Sequence, residues 1–186
     1  MKCKECGMES GEYSLCKDCY YKSKDGHIDK RKKKTKINDN IIKGKLAETI
    51  VEEMFFTMGY RVFRFGMENT LPGFMNRYFP KKGEVAEQVR KMPDFIIVKD
   101  SQIAFIEVKY RTNGKFDFKK HYGQRQYPYK NAYFILVTPK HILIQKASEL
   151  EKGKNFIYLI NCKDFETNRE TILEYITFCK KFFGNC

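Results

Sequence analysis

Residues 92–109 read Met92-Pro93-Asp94-Phe95-Ile96-Ile97-Val98-Lys99-Asp100-Ser101-Gln102-Ile103-Ala104-Phe105-Ile106-Glu107-Val108-Lys109. Two apolar runs rich in β-branched residues flank Asp100-Ser101, which is the pattern of two strands joined by a tight turn. With the turn centred there, paired residue numbers sum to 201, and Asp94 falls opposite Glu107 on one face of the sheet. Their Cβ atoms are then about 5 Å apart. Like charges so placed repel, and strands this apolar are central, so the pair calls for a cation. A divalent ion with oxygen ligands meets that need, and Lys109 projects from the same face about 6.6 Å further along. Two carboxylates, a lysine and a metal form a hydrolytic set. The ion polarises a phosphate while the lysine orients or helps deprotonate the attacking water.

The sequence around this hairpin supplies the rest of an α/β domain. Leu46, Ile50, Val51, Met54, Phe55 and Met58 recur at helical spacing over 45–58, and Gly59 supplies a stop. Strands are expected over 60–65, 93–99, 103–110, 132–138, 141–146 and 156–162. A final helix is expected from near Asp164, with Phe165, Ile172, Ile176, Cys179 and Phe183 on one stripe that serves as core. The connection over 66–92 is long, contains Pro72, Gly73, Pro80 and Gly83, and holds at most a short helix over 84–90. Mixing Arg77, Lys81, Lys82, Arg90 and Lys91 with Phe74, Tyr78 and Phe79 suits it to gripping phosphates and stacking bases, or to packing on a partner subunit.

Pro93-Asp94 followed by Glu107-Val108-Lys109 resembles the signature of the PD-(D/E)XK nuclease superfamily, the restriction-endonuclease-like fold that includes archaeal Holliday-junction resolvases. The resemblance covers roughly residues 41–145. It implies a mixed central sheet flanked by helices, with Asp94, Glu107 and the Val108 carbonyl holding Mg²⁺ or Mn²⁺ and Lys109 serving the nucleophilic water. A helix before the sheet often carries a glutamate in that family. Glu48 is the candidate, since at 100° per residue it lies only about 20° around the axis from Phe55, at the border of the apolar face. Glu52 and Glu53 are expected further towards solvent. The family sometimes adds a Gln or Lys on a following helix, for which Gln124 is preferred to Gln126. The 66–92 connection departs from the resolvase pattern, which has only a short glycine-containing link there.

Near the N-terminus Cys3 and Cys6 form one Cys-x2-Cys pair, and Cys16 and Cys19 form another. Two such knuckles complete the closed tetrahedral thiolate shell that structural Zn²⁺ takes, and so short a segment has almost no core besides the metal. It looks like a small zinc ribbon or knuckle. Redox use of the pairs is the alternative, His27 is a weak alternative ligand, and Cys162, Cys179 and Cys186 have no ligand spacing. The expected organisation is a zinc-ribbon-like four-cysteine module over 1–21, a basic linker over 22–40 and the nuclease-like domain over 41–186. Lys30-Arg31-Lys32-Lys33-Lys34 has no apolar residue to fold around, so it is either a flexible linker or a phosphate-binding arm.

Composition limits the function classes. The chain has 186 residues, a net charge of +13, 16 Phe and 12 Tyr, enough for a real core and against wholesale disorder. Residues 1–45 carry 13 basic and 7 acidic groups and the remainder 23 and 16, so both parts are basic. A polyanion is the expected partner, and charge alone does not separate DNA from RNA. No apolar run approaches the roughly 18 residues of a membrane helix, and the cysteine-rich start lacks the apolar stretch of a secretory signal, so a cytoplasmic protein with no membrane partner is expected. The reading is a metal-dependent endodeoxyribonuclease, extended by the resolvase likeness to branched or junction DNA. By analogy with the family, one site per subunit against two strands implies a homodimer. The alternative is a non-catalytic zinc-containing nucleic-acid-binding adaptor, in which the α/β domain is scaffold.

Overall fold

The computed structural model describes residues 1–20, 39–66, 83–123 and 127–184. The chain divides into two compact units, Met1–Asp39 and Asn40–Cys186. Lys30, Arg31, Lys32, Lys33 and Lys34, the connection residues Phe74, Arg77, Tyr78, Phe79, Lys81 and Lys82, and Gln124, Gln126, His27 and Cys186 lie outside the described residues.

The second unit is a mixed α/β fold around one six-stranded sheet. Its elements are α1 (Asp39–Thr57), β1 (Arg61–Arg64), α2 (Glu84–Arg90), β2 (Phe95–Lys99), β3 (Gln102–Tyr110), α3 (Phe118–Tyr122), β4 (Tyr133–Val137), β5 (Ile142–Lys146), α4 (Ala147–Glu151), β6 (Ile157–Tyr158) and α5 (Arg169–Phe183). The strands lie side by side in chain order. All neighbours are antiparallel except β3 and β4, which run parallel and are joined by the crossover that contains α3. Phe95 pairs with Ile106 and Lys99 with Gln102, the register in which paired numbers sum to 201. Asp100, at the turn, has φ 53°, a left-handed conformation that Asp tolerates and tight hairpins use.

Alternation along the strands sends side chains to two separate cores. On one face, Phe95, Ile97, Ile106, Val108, Ile135, Val137, Ile142 and Ile144 pack with Ala47, Ile50, Val51, Met54 and Phe55 of α1 and with Ile172, Cys179 and Phe183 of α5. On the other, Phe105 and Phe134 meet Phe118 and Tyr122 of α3, Tyr127, and Ala147 and Leu150 of α4. Glu107 and Lys109 alternate with Ile106 and Val108, so they belong to this second, aromatic face.

Several boundaries differ from the sequence expectation. Helix α1 begins at Asp39, six residues before the expected start; Ile41 and Ile42 in the added turns are exposed, so the apolar periodicity that marks the rest of the helix does not extend to them. It ends as expected, with Gly59 at φ 86° donating its N–H to the Phe56 carbonyl at 2.9 Å. The sixth strand shrinks to two residues and runs into a 3₁₀ turn over Leu159–Asn161, and α5 starts at Arg169, capped by the Asn168 side chain. Phe165 is buried in the same core but precedes the helix. The periodicity predicts neither α3 nor α4, and no described helix is long and apolar enough to cross a membrane.

Candidate active site

Glu107 is the one buried carboxylate among the described residues, 6% exposed in the middle of a central strand. Such a charge is costly unless it is paired. Lys109, two residues along the same face, donates from Nζ to Glu107 Oε1. Asp94 lies one step before β2, at the position opposite Glu107 in the observed register, and its Oδ2 accepts the Val108 N–H at 2.7 Å. The Asp94 carbonyl accepts from Phe65 N at 2.8 Å and Gly66 N at 3.2 Å, which fixes this residue between β1 and β3. The hairpin thus brings Asp94, Glu107 and Lys109 together as the register requires.

Glu48 joins them through its charge. Burial pushes the Glu107 carboxyl up to about 8; the negative charges of Asp94 and Glu48 add to that push, and Lys109 opposes it. Burial pulls the Lys109 ammonium down, but Glu107, Asp94 and Glu48 outweigh it and raise its pKa. Three carboxylates therefore act on the Lys109 ammonium. Glu48 and Glu52 are both half-buried, and Glu52 is not turned to solvent as expected, because Arg64 grips it with Nε at 2.9 Å and with a second guanidinium contact. Glu53 is exposed.

Two aromatic residues absent from the sequence reading complete the surroundings. The Tyr122 hydroxyl lies 3.5 Å from Glu107 Oε1. Tyr127 is fully buried, its ring centroid 4.8 Å from that of Tyr122, and its hydroxyl is the one buried side-chain polar atom among the described residues without a hydrogen-bond partner. Burial first, and then the charge of Glu107, push both phenols upward, so both stay protonated. The signal that marks Tyr122 in sequence is punctuation: Asp117 caps the turn by accepting Lys120 N at 2.9 Å, and Gly123 at φ 67° ends it.

The N-terminal unit has a second cluster. The Sγ atoms of Cys3, Cys6, Cys16 and Cys19 lie within 4.8 Å of one another. A zinc ion bound at Zn–S distances of about 2.3 Å needs sulfurs about 3.8 Å apart, so the four thiols are close enough to hold a metal such as zinc. The first knuckle is closed by Gly7 N donating to Cys3 O at 3.0 Å and Cys3 N to Met8 O at 2.8 Å, with Gly7 at φ 74°. The second sits at the start of a helical turn, where Tyr20 N donates to Cys16 O at 2.9 Å. Backbone N–H groups of Cys16 and Cys6 pull the Cys3 thiol down to about 6, whereas crowding by Cys6 and Cys16 pushes Cys19 up to about 12. Without a cation, four thiolates do not coexist there. Cys162 and Cys179 are buried in the core of the other unit, as their lack of ligand spacing suggests.

No protein-family model matches this chain, and neither does any curated protein.

Proposed function

We propose that the α/β unit is a metal-dependent endodeoxyribonuclease of the PD-(D/E)XK kind, hydrolysing phosphodiester bonds with Mg²⁺ or Mn²⁺. The observation that carries this reading is the convergence of three carboxylates on one lysine at the end of a sheet hairpin: Lys109 donates to Glu107, with Asp94 and Glu48 both acting on that pair. Hard carboxylate oxygens suit a divalent ion of this type, which when bound polarises the scissile phosphate and its attacking water. Asp94 and Glu107, with the Val108 carbonyl, would hold it, and Glu48 would complete the shell directly or through water. Lys109, now bound to Glu107, would turn its ammonium to the nucleophilic water and steady the charge that develops on the phosphate. A net charge of +13 supports a polyanionic substrate. The four-cysteine module, with zinc, and the basic segment after it would add affinity for DNA, and a branched or junction substrate cut by a homodimer extends the same reading.

The test is a gel assay with plasmid, linear, single-stranded and four-way-junction DNA in Mg²⁺, Mn²⁺ or EDTA. Metal-dependent products are expected, reduced at least about 100-fold in Lys109→Ala. Binding without product under every divalent ion would overturn the nuclease and favour the adaptor, with RNA as the remaining substrate to try.

Tyr122→Phe separates support of the site from support of the fold. Groups behind a metal ligand typically contribute about 10–100-fold to metal affinity. The variant should need about ten times more Mg²⁺ for half-maximal cleavage while its Tm stays within a few degrees of wild type, because the ring packing is kept. An unchanged Mg²⁺ requirement would remove Tyr122 from the site.

A further inference from the structure

The wall formed by Tyr122 has a second side. There a cavity of about 240 Å³ is lined by Glu87 and Arg90 of α2, by Lys91, and by His121 and Tyr122 of α3. Lys91 Nζ lies 5.9 Å from the centre of the Tyr122 ring, and the hydroxyl of the same ring is 3.5 Å from Glu107 Oε1. One side chain thus separates the cavity from the carboxylate site. His121 is tied to that site as well: burial, then the charges of Lys109 and Arg111, hold its imidazole below its usual range. Helix α2 is pinned in place, since the Tyr129 hydroxyl donates to the Gln88 carbonyl at 3.3 Å while the Tyr129 ring packs 5.5 Å from Phe105 of β3.

The chemistry of the lining is cationic and preorganised. The Arg90 guanidinium is steadied by its Nε donating to the Ala86 carbonyl at 3.2 Å, and Lys91 stands on an aromatic face. Glu87, the single carboxylate in the lining, is engaged by Lys91 at 3.5 Å. A guanidinium and an ammonium lining one space of this size match the tetrahedral oxygens of a phosphoryl group.

We propose that this cavity is a phosphate subsite, holding a non-scissile phosphodiester of the nucleic-acid strand close to the bond presented to Glu107 and Lys109. The proposal rests on the nuclease reading for its strand and register, and it assigns Arg90 and Lys91 to positioning substrate rather than to the chemical step. A phosphate held there fixes where the next phosphodiester lies, and contacts of this kind set register without reading sequence.

The experiment uses the full chain, with binding of labelled single-stranded and duplex oligonucleotides followed by anisotropy across a salt series in EDTA, and cleavage kinetics in Mg²⁺. In R90A/K91A the Kd and KM should rise about tenfold or more, with the loss in KM and not in kcat. The duplex salt slope should become shallower by about 0.9, the share of one neutralised phosphate. Glu87→Gln should act in the opposite direction and tighten binding, because it releases Lys91 from its ion pair; a merely structural role for this corner would not produce that gain. Inorganic phosphate should compete for wild type and lose its effect in R90A/K91A; competition that is equal in both places the phosphate elsewhere and overturns the proposal. Equal Kd and salt slope in wild type and R90A/K91A would also overturn it, whether or not the protein cleaves. Wild type that binds but cuts nothing refutes the nuclease reading instead, and the slope difference in EDTA still decides the subsite.

Discussion

Glu107→Gln is expected to do two opposite things: remove metal-dependent cleavage, to about a thousandth of wild type or less, and raise the Tm of the metal-free protein. The second effect follows from the sign of the Glu107 shift. An ordinary carboxyl titrates near 4.5, whereas burial, Asp94 and Glu48 push this one up to about 8. Between those values the unfolded chain has released a proton that the folded chain retains, so Glu107 lowers stability as pH climbs through the window. Glutamine carries no proton to lose. Its advantage is absent near pH 4, grows through neutrality and is complete above pH 8. The attraction of Lys109 is already contained in the net Glu107 shift. At 1.36 kcal/mol per pKa unit, and with part of the gain lost because a glutamine amide donates as well as accepts in the same packed space, a net gain of about 1–3 kcal/mol follows, or roughly 2–10 °C in a chain of this size. Thermal melts in EDTA at pH 5 and pH 8 read it. Mg²⁺ should reverse the order at pH 8 by stabilising wild type and not the variant. A variant less stable than wild type in EDTA at pH 8 would mean that the Glu107–Lys109 pair outweighs the cost of burying the carboxylate, and the assignment of Glu107 as a metal ligand would lose its support.

How much of this site the sequence could reveal depends on the distance over which each residue acts. Asp94, Glu107 and Lys109 are linked by a hairpin, and a hairpin is legible because a period of two and a tight turn fix the register locally. Glu48 was legible one step more weakly, through its angular position on α1, a helix whose buried stripe is regular from Ala47 to Phe55. Tyr127 was not legible, and for Tyr122 the Asp117 cap and Gly123 stop mark a helical turn without saying what that turn covers. Both rings belong to a polar stretch with a single helical turn, and only the parallel crossover from β3 to β4 carries them over Glu107. The same limit applies to Arg90 and Lys91, which in sequence are two more cations in a basic connection. Helix α2 was expected where it stands, yet its place beside Tyr122 is a property of the sheet face, where Phe105 and Tyr129 bring the connection back. Local order is written in periodicity, and a site assembled across a crossover is not.

Removal of zinc is expected to unfold residues 1–20 and leave the α/β unit intact. Among the described residues of the N-terminal unit, the buried apolar side chains are Cys3 and Cys16, themselves two of the four thiols, while Met1, Met8 and Tyr13 are 75%, 60% and 76% exposed. Nothing else in the segment supplies a core. Its hydrogen bonds, such as Ser10 Oγ to Met1 O at 2.9 Å and Lys4 N to Ser14 O at 3.0 Å, close turns and do not exclude water. Each contributes only about 1 kcal/mol, too little to order the chain against its conformational entropy. A structural zinc, by contrast, supplies apparent binding energies of about 10–16 kcal/mol in small modules, and that energy is folding energy. The α/β unit has two cores of its own and does not draw on it. The purified chain should contain one zinc per molecule, and a strong chelator should collapse the amide NMR dispersion of residues 1–20 while the dispersion of 40–184 and the main thermal transition persist. Cys16→Ser should reproduce this without chelator. If cleavage of short duplexes survives zinc removal while binding becomes weaker and less steep in salt, the module serves affinity and the carboxylate site serves chemistry. If the dispersion of 1–20 is unchanged by chelator, the four thiols hold no structural metal, and their packing within 4.8 Å of one another needs another cause.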